Sequence, residues 1–327
     1  MAPLVRSKLL LGGILAATAL VLVPAGLAGN GGFAPPPAES PNAAGIRESY
    51  FWVAIFTGAV LVLVEGALVV FIVKYRSRRR PRDAEGPQIH GNTRLEIAWT
   101  VVPVLILVAI GSFVFYKLPG IRDIPPATAA GGREDVSVQG HQYYWEFTYP
   151  NGAVAVDRMR VPVGRTMKLI VTAPEWDVIH SWWIPQLGGK IDAIPGKVNT
   201  TWFRAERAGV YPGQCAELCG ILHARMTAEV EALPEAEYEH WVEERADGEG
   251  LGEETFDGTC AKCHGLQGQG DIGPQLVGNA LLNDREGIER LIRNGKGEMP
   301  PVGKDWNETQ LKAITDYLRE EIVGGQG

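Results

Sequence analysis

The chain has 327 residues, room for two or three domains, and a formal net charge of −7 from 31 Lys and Arg against 38 Asp and Glu. That balance argues against a nucleic-acid binder, which would carry a basic stripe. The hydrophobic fraction of 46% is ordinary but concentrated towards the N-terminus, and each of the four cysteines falls in a ligand-type motif.

Residues 1–28 read as a secretory signal, with Arg6 and Lys8 ahead of the apolar run Leu9 to Val23 and a small-residue site at Ala25-Gly26-Leu27-Ala28. An uncleaved anchor is the alternative. Residues 29–49, rich in Gly, Pro and Ala towards their start, are then an exposed N-terminal segment. A transmembrane hairpin is expected over 50–118, with spans at 50–73 and 95–116, because about 20 apolar residues cross a bilayer as a helix. The cationic loop Lys74-Tyr75-Arg76-Ser77-Arg78-Arg79-Arg80-Pro81-Arg82 between them is cytoplasmic by the positive-inside rule, so everything after Lys117 lies outside. Glu96 sits at the edge of the second span, where a carboxylate is costly and often functional; an interfacial role at the helix start is the alternative.

A linker over 119–134 leads into short alternating runs separated by turns, such as Lys168-Leu169-Ile170-Val171-Thr172, that predict a small β-sandwich over 135–232. Near its end, Cys215, Cys219, His223 and Met226 form C-x3-C-x3-H-x2-M, punctuated as a loop by Pro212, Gly213 and Gly220. Two thiols, an imidazole and a thioether are the soft and borderline donors that copper prefers. A disulfide, a zinc site and a redox thiol pair are the competing readings. Two metal ions sharing both thiolates would need a second imidazole, and His180 is the candidate.

The acidic stretch within 233–251 reads as a solvated linker before a small helical domain over 252–323. There Cys260-Ala261-Lys262-Cys263-His264 gives C-x-x-C-H, the attachment motif for c-type haem, with His264 as proximal ligand. Met299 is the only methionine after it, and His/Met ligation would raise the reduction potential. Asn307, with Gln310 three residues on, predicts the cap of a final helix whose Leu311, Ile314 and Leu318 share a face. About 70 residues is small for a core, so covalent haem would serve as much of it.

The segments Gly140-His141-Gln142-Tyr143-Tyr144-Trp145, Asp177 to Trp183, Lys190 to Gly196 and Tyr211 to Met226 together resemble subunit II of cytochrome c oxidase, over about residues 48–232. With the C-x-x-C-H domain, the order is similar to the caa-type bacterial oxidases. The resemblance implies a two-helix transmembrane hairpin, a cupredoxin β-barrel or sandwich, and a small all-α cytochrome c domain. It implies a binuclear CuA site in which Cys215 and Cys219 bridge two coppers, His180 and His223 cap one each, Met226 is a weak axial donor and the Glu217 carbonyl completes the set. The Glu217 side chain would hold magnesium at the interface with subunit I. Gly273-Pro274 resembles the class I cytochrome segment whose proline carbonyl holds the proximal imidazole.

The same resemblance makes Glu96 the mouth of a proton path, and Tyr143 with Trp145 the region of electron intake, although the family commonly has Trp where this chain has Tyr143. The implied partners are subunits I and III, an upstream cytochrome c or cytochrome bc complex, and membrane lipid. The implied location is the bacterial plasma membrane with both cofactor domains on the outer side. Electrons would pass from the donor through haem c and CuA to subunit I, where O2 is reduced to water in a proton-pumping enzyme. A nitric oxide reductase small subunit and a membrane-tethered copper-transfer protein are the alternatives.

Overall fold

The computed structural model describes residues 34–75, 85–86, 88–129 and 131–323. The expected signal segment 1–28, the start of the 29–49 segment and most of the cationic loop lie outside the described residues. The described residues divide into two units, 34–37 with 45–121, and 38–44 with 122–323.

The first unit is built on two helices, α1 (Pro41–Tyr75) and α2 (Thr93–Arg122). Both are long and apolar enough to cross a membrane, and their most hydrophobic windows are unburied. Side chains such as Leu63, Leu107 and Phe115 stand exposed, which only an apolar solvent makes favourable. Trp52 stacks on Phe113 at 4.8 Å, and Glu48 pairs with Lys117, so the helices contact through aromatic and ionic neighbours. The helices outrun the expected spans of 50–73 and 95–116. Proline is favoured in a first helical turn, which lets Pro41 open α1, and α2 continues through Pro119 to Arg122.

The second unit opens with a correction to the exposed segment expected over 29–49. Glu39, Ser40, Asn42 and Ala43 are buried. Glu39 pairs with Arg207, and the Asn42 side chain donates to the Trp202 carbonyl at 2.5 Å. Composition does not reveal this, because the partners of Glu39 and Asn42 lie 168 and 160 residues further along the chain.

Ten strands follow: β1 (Arg133–His141), β2 (Tyr144–Thr148), β3 (Val154–Val156), β4 (Arg158–Pro162), β5 (Thr166–Thr172), β6 (His180–Trp183), β7 (Ile191–Ala193), β8 (Asn199–Phe203), β9 (Gly209–Cys215) and β10 (Thr227–Leu233). They form two five-stranded sheets, ordered β3-β2-β1-β5-β8 and β4-β10-β9-β6-β7. Pairing is antiparallel except for β1 with β5 and β4 with β10. The alternation read in the sequence is the burial pattern: Val136 and Val138 in β1, Leu169 and Val171 in β5, and Ala228 and Val230 in β10 all face the core between the sheets.

The stretch 233–251, expected as a solvated linker, contains helix α3 (Glu235–Ala246). Its glutamates lie on the outer face, Tyr238 and Val242 enter the sandwich core, and Arg245 is buried against Glu254 at 2.8 Å. Trp241 meets Tyr149 edge-on at 5.2 Å and lies beneath the Arg160 and Arg245 guanidiniums. An acidic run was therefore one face of an amphipathic helix.

The C-terminal module comprises α4 (Leu251–Thr255), a π-helical stretch Phe256–Cys260, α5 (Ala261–His264), α6 (Arg285–Asn294) and α7 (Glu308–Tyr317). Asn307 caps α7 in the expected capping box with Gln310, and Leu311, Ile314 and Leu318 are buried. The core of this module includes Tyr144 and Val156 from the sandwich. The Tyr144 hydroxyl donates to the Val302 carbonyl at 2.6 Å and accepts from Trp306 Nε1 at 3.1 Å. A Cβ on Gly258 would meet Val156 Cγ1 at 2.6 Å, so the residue there must lack one for the module to seat.

Candidate copper and haem sites

The copper-type donors come from two adjacent strands and the loop that leaves one of them. His180 opens β6, Cys215 closes β9, and β6 pairs with β9 through Trp182 and Cys215. After Cys215 the chain loops through Cys219 to a 3-10 turn at His223–Arg225 before Met226 leads into β10. The loop folds back because the Cys215 N–H donates to the Met226 carbonyl at 2.9 Å and the Ala216 N–H to the Ser181 carbonyl at 2.9 Å. A rigid sheet edge thus sets the donor positions.

The donor atoms converge. Cys215 Sγ lies 4.0 Å from Cys219 Sγ, 4.0 Å from His180 Nδ1 and 3.3 Å from the Glu217 carbonyl. Cys219 Sγ lies 3.5 Å from His223 Nδ1 and 3.7 Å from Met226 Sδ. Both sulfurs are free and buried, at a separation far from a disulfide bond. Contact with Cys219 holds the Cys215 thiol below its usual range against the opposing effect of burial, and the same contact, with burial, pushes Cys219 up. Metal binding would require both thiols to be deprotonated.

Three residues around the donors were not singled out from the sequence. Asp177 Oδ1 lies 3.2 Å from His180 Nε2, with both side chains essentially inaccessible. That contact places the imidazole proton on Nε2 and leaves Nδ1 facing the sulfurs. Burial disfavours a charge on His180, but Asp177 and Cys215 outweigh it and raise its pKa. Gln142 Nε2 donates to the Cys219 carbonyl at 2.6 Å, tying the loop to the end of β1. A Cβ on Gly140 would come within 2.9 Å of His180 Cβ, so glycine there lets β1 close over the imidazole. Asp177 carried a faint signal, being three residues before a candidate ligand; the other two depend on strand pairing.

The remaining expected site residues separate from the donors to different degrees. Trp145 is fully buried and meets His180 edge-on at 6.1 Å, underlying the site. Tyr143 is half-buried, and its hydroxyl lies against the copper-ligand loop at Gly220, where an added Cβ would come within 2.5 Å of it. Only the carbonyl of Glu217 faces the donors; its exposed carboxylate lies 3.8 Å from Lys190. Glu96 Oε1 accepts the Asn92 N–H at 3.1 Å while Asn92 Oδ1 accepts the Leu95 N–H at 3.2 Å, a reciprocal cap at the start of α2.

In the helical module, Cys260, Cys263 and His264 sit on the π-helical stretch and α5. His264 Nδ1 donates to the Pro274 carbonyl at 2.6 Å, which leaves Nε2 as the free nitrogen. Met299 is half-buried in a turn closed by Lys296. Two free thiols, an imidazole presented through Nε2 and a thioether fit covalent haem, as the sulfur-rich cluster fits copper.

The fold and sites define a class: a membrane hairpin bearing a two-sheet domain with a copper-type donor cluster, followed by a c-type cytochrome module. Residues 28–116 match the transmembrane domain of cytochrome c oxidase subunit II, and 152–233 match its periplasmic domain. Residues 250–318 match a family described as cytochrome c oxidase, cbb3-type, subunit III. Cytochrome c oxidase subunit 2 of Alkalihalophilus pseudofirmus is 35% identical over 312 residues, spanning 86% of this chain and 88% of the relative. That of Cereibacter sphaeroides is 32% identical over 251 residues, spanning 65% and 80%. The crystal structure of the periplasmic domain of subunit II of cytochrome oxidase from Bradyrhizobium japonicum is 34% identical and covers 37% of this chain and 96% of its own, with a TM-score of 0.34. The chain belongs to the cytochrome c oxidase subunit 2 family.

Proposed function

We propose that this chain receives electrons from an external donor at a covalent haem c and delivers them through a binuclear CuA centre to subunit I of a proton-pumping oxidase. The observation that carries the reading is the run of close contacts that links His180, Cys215, Cys219, His223, Met226 and the Glu217 carbonyl, with His180, Cys215, Cys219 and Met226 buried, beside a module that presents Cys260, Cys263 and His264. When bound, the copper pair and haem supply reversible one-electron chemistry with little change in bond lengths. Everything else is the work of the chain. Cys215, Cys219, His180 and His223, the two histidines through Nδ1, would hold the copper pair together with Met226. Asp177 fixes the His180 tautomer, and Pro274 fixes that of His264. Cys260 and Cys263 would carry the haem thioethers, with Met299 as the sixth ligand.

Tyr143, packed against Gly220 of the copper loop, and Trp145, edge-on to His180, are proposed as the electron intake region. Glu217 is proposed to offer its exposed carboxylate to magnesium at the subunit I interface, and Glu96 to stand at the mouth of a proton path beside its capping role. The two apolar helices belong in the bacterial plasma membrane with the sandwich and cytochrome outside. Subunit III and an upstream cytochrome c or cytochrome bc complex complete the assembly.

The deciding experiment is metal analysis with EPR on the full chain and on Cys219→Ser. Wild type should show two coppers sharing one unpaired spin and one low-spin haem. The variant should lose the shared-spin signal and keep the haem. A shared-spin signal that survived in Cys219→Ser would refute the ligand assignment.

A further inference from the structure

The two modules of the second unit exchange cations where they meet. Lys262 is one of the two residues between Cys260 and Cys263, and its side chain leaves its own module. Its Nζ donates to the Tyr143 carbonyl at 2.8 Å and pairs with the Asp157 carboxylate, with only 12% of the side chain exposed. Arg225 lies between His223 and Met226 and reaches the other way. Its Nη1 donates to the Lys262 carbonyl at 2.8 Å and to Asp271 Oδ2 at 2.7 Å. One residue of the haem-attachment loop is therefore gripped by the sandwich at both its side chain and its carbonyl.

Exposed ion pairs contribute little on average, and Arg225 with Asp271 alone would count as one. Lys262 is different, because a buried cation stripped of its partner is costly. Its partner is also fixed in advance. Asp157 Oδ1 accepts the Trp145 N–H at 2.8 Å, its own N–H donates to the Trp145 carbonyl at 2.8 Å, and its φ of 59° is uncommon for a residue with a side chain. The sandwich holds that backbone conformation and points a carboxylate at the neighbouring module. Further contacts join the same two modules: Gln310 donates to Glu146 at 2.8 Å, Trp176 donates to Asp305 at 2.8 Å, and Arg160 meets Glu254 at 3.0 Å.

We propose that Arg225 and Lys262 are positioning residues that form a reciprocal clamp, locking the haem-attachment loop onto the copper-ligand loop and fixing the approach of the two centres. The proposal rests on the electron-transfer reading above. Arg225 belongs to the copper-ligand turn and bonds the peptide next to Cys263. Lys262 bonds the backbone of Tyr143, whose hydroxyl packs against Gly220 in the copper-ligand loop, while the neighbouring Gln142 donates to the Cys219 carbonyl at 2.6 Å. Arg225 joins the two segments directly, and Lys262 joins them through Tyr143.

The test uses the full chain in detergent, as wild type, Arg225→Gln, Lys262→Met, the double variant and Arg225→Lys. Amide hydrogen exchange is followed over residues 142–149 and 260–272 in haem-loaded, copper-free protein. Protection should fall about tenfold or more in the double variant as the modules open locally, with Arg225→Lys recovering part of what Arg225→Gln loses. In copper-loaded protein, photoreduction of haem c starts the transfer of one electron from ferrous haem to the oxidised copper pair. That rate should drop about tenfold or more, because small misplacements of reacting centres are expensive, while the haem potential and copper spectrum stay put. Unchanged protection and rate in the double variant would overturn the clamp. If Lys262→Met prevents haem attachment, Arg225→Gln decides alone, since it lies outside the attachment motif and is half-exposed. A wild type without a copper pair would defeat the functional reading, yet the exchange measurement on copper-free protein still judges the clamp.

Discussion

At the scale of single residues, the donors were legible because chemistry dictates their spacing, whereas the groups that aim them were not. C-x3-C-x3-H-x2-M and C-x-x-C-H can be read along the chain. Asp177 matters only because β6 turns the ring of His180 towards it. Replacing it with Asn keeps the size and loses the charge, so copper affinity measured by competition should fall about 10- to 100-fold with haem content unchanged. Glu146 carries a second residue-level prediction. Burial raises its pKa from 4.5 to about 7, although a hydrogen bond from Gln310 works against the shift. The folded chain thus holds this proton more tightly than the unfolded one. The stability it contributes is complete below pH 4.5 and is lost as pH rises through about 7. Glu146→Gln should flatten thermal stability across that window and stabilise the chain above it, by at most about 3 kcal/mol.

Elements were legible where periodicity met an unambiguous partner. β1, β5 and β10 alternate as expected, and Asn307 with Gln310 caps α7 as the sequence implies. Asn307→Ala should cost about 1 kcal/mol in chemical denaturation, and a neutral result would mean that packing alone holds the helix start. α3 escaped notice because its exposed side carries a dense run of glutamates, and the apolar face of Tyr238, Trp241 and Val242 has a recognisable purpose only once the sandwich exists. Tyr144 posed the reverse difficulty. An aromatic alternating along a strand is normally packing within its own sheet, but Tyr144 faces outwards into the cytochrome core. Tyr144→Phe leaves the Val302 carbonyl and Trp306 Nε1 without their partner, and should destabilise the chain by about 1–3 kcal/mol.

For the molecule as a whole, the order of membrane hairpin, sandwich and cytochrome was readable from hydropathy and motifs, while the dependence between the last two was not. Sequence treats 252–323 as a small domain in need of haem to complete its core. The structure supplies Tyr144 and Val156 to that core as well. A cytochrome segment expressed alone should therefore remain poorly folded even with haem attached, showing fast amide exchange, and should gain protection when residues 122–250 are restored. Equal protection in both forms would show the core to be self-sufficient.

Helix α3 connects the two modules while Tyr238 and Val242 bury into one of them, so the join between them has little slack. A partner held in this way is present at a fixed effective concentration, whatever the ionic strength or dilution of the surroundings. Dilution would then weaken only encounters with molecules arriving from outside, while salt would reach within the chain no further than exposed pairs such as Arg225 with Asp271. On the proposed route, any dependence of turnover on dilution would time the arrival of the external donor and leave the internal hand-over out of the measurement.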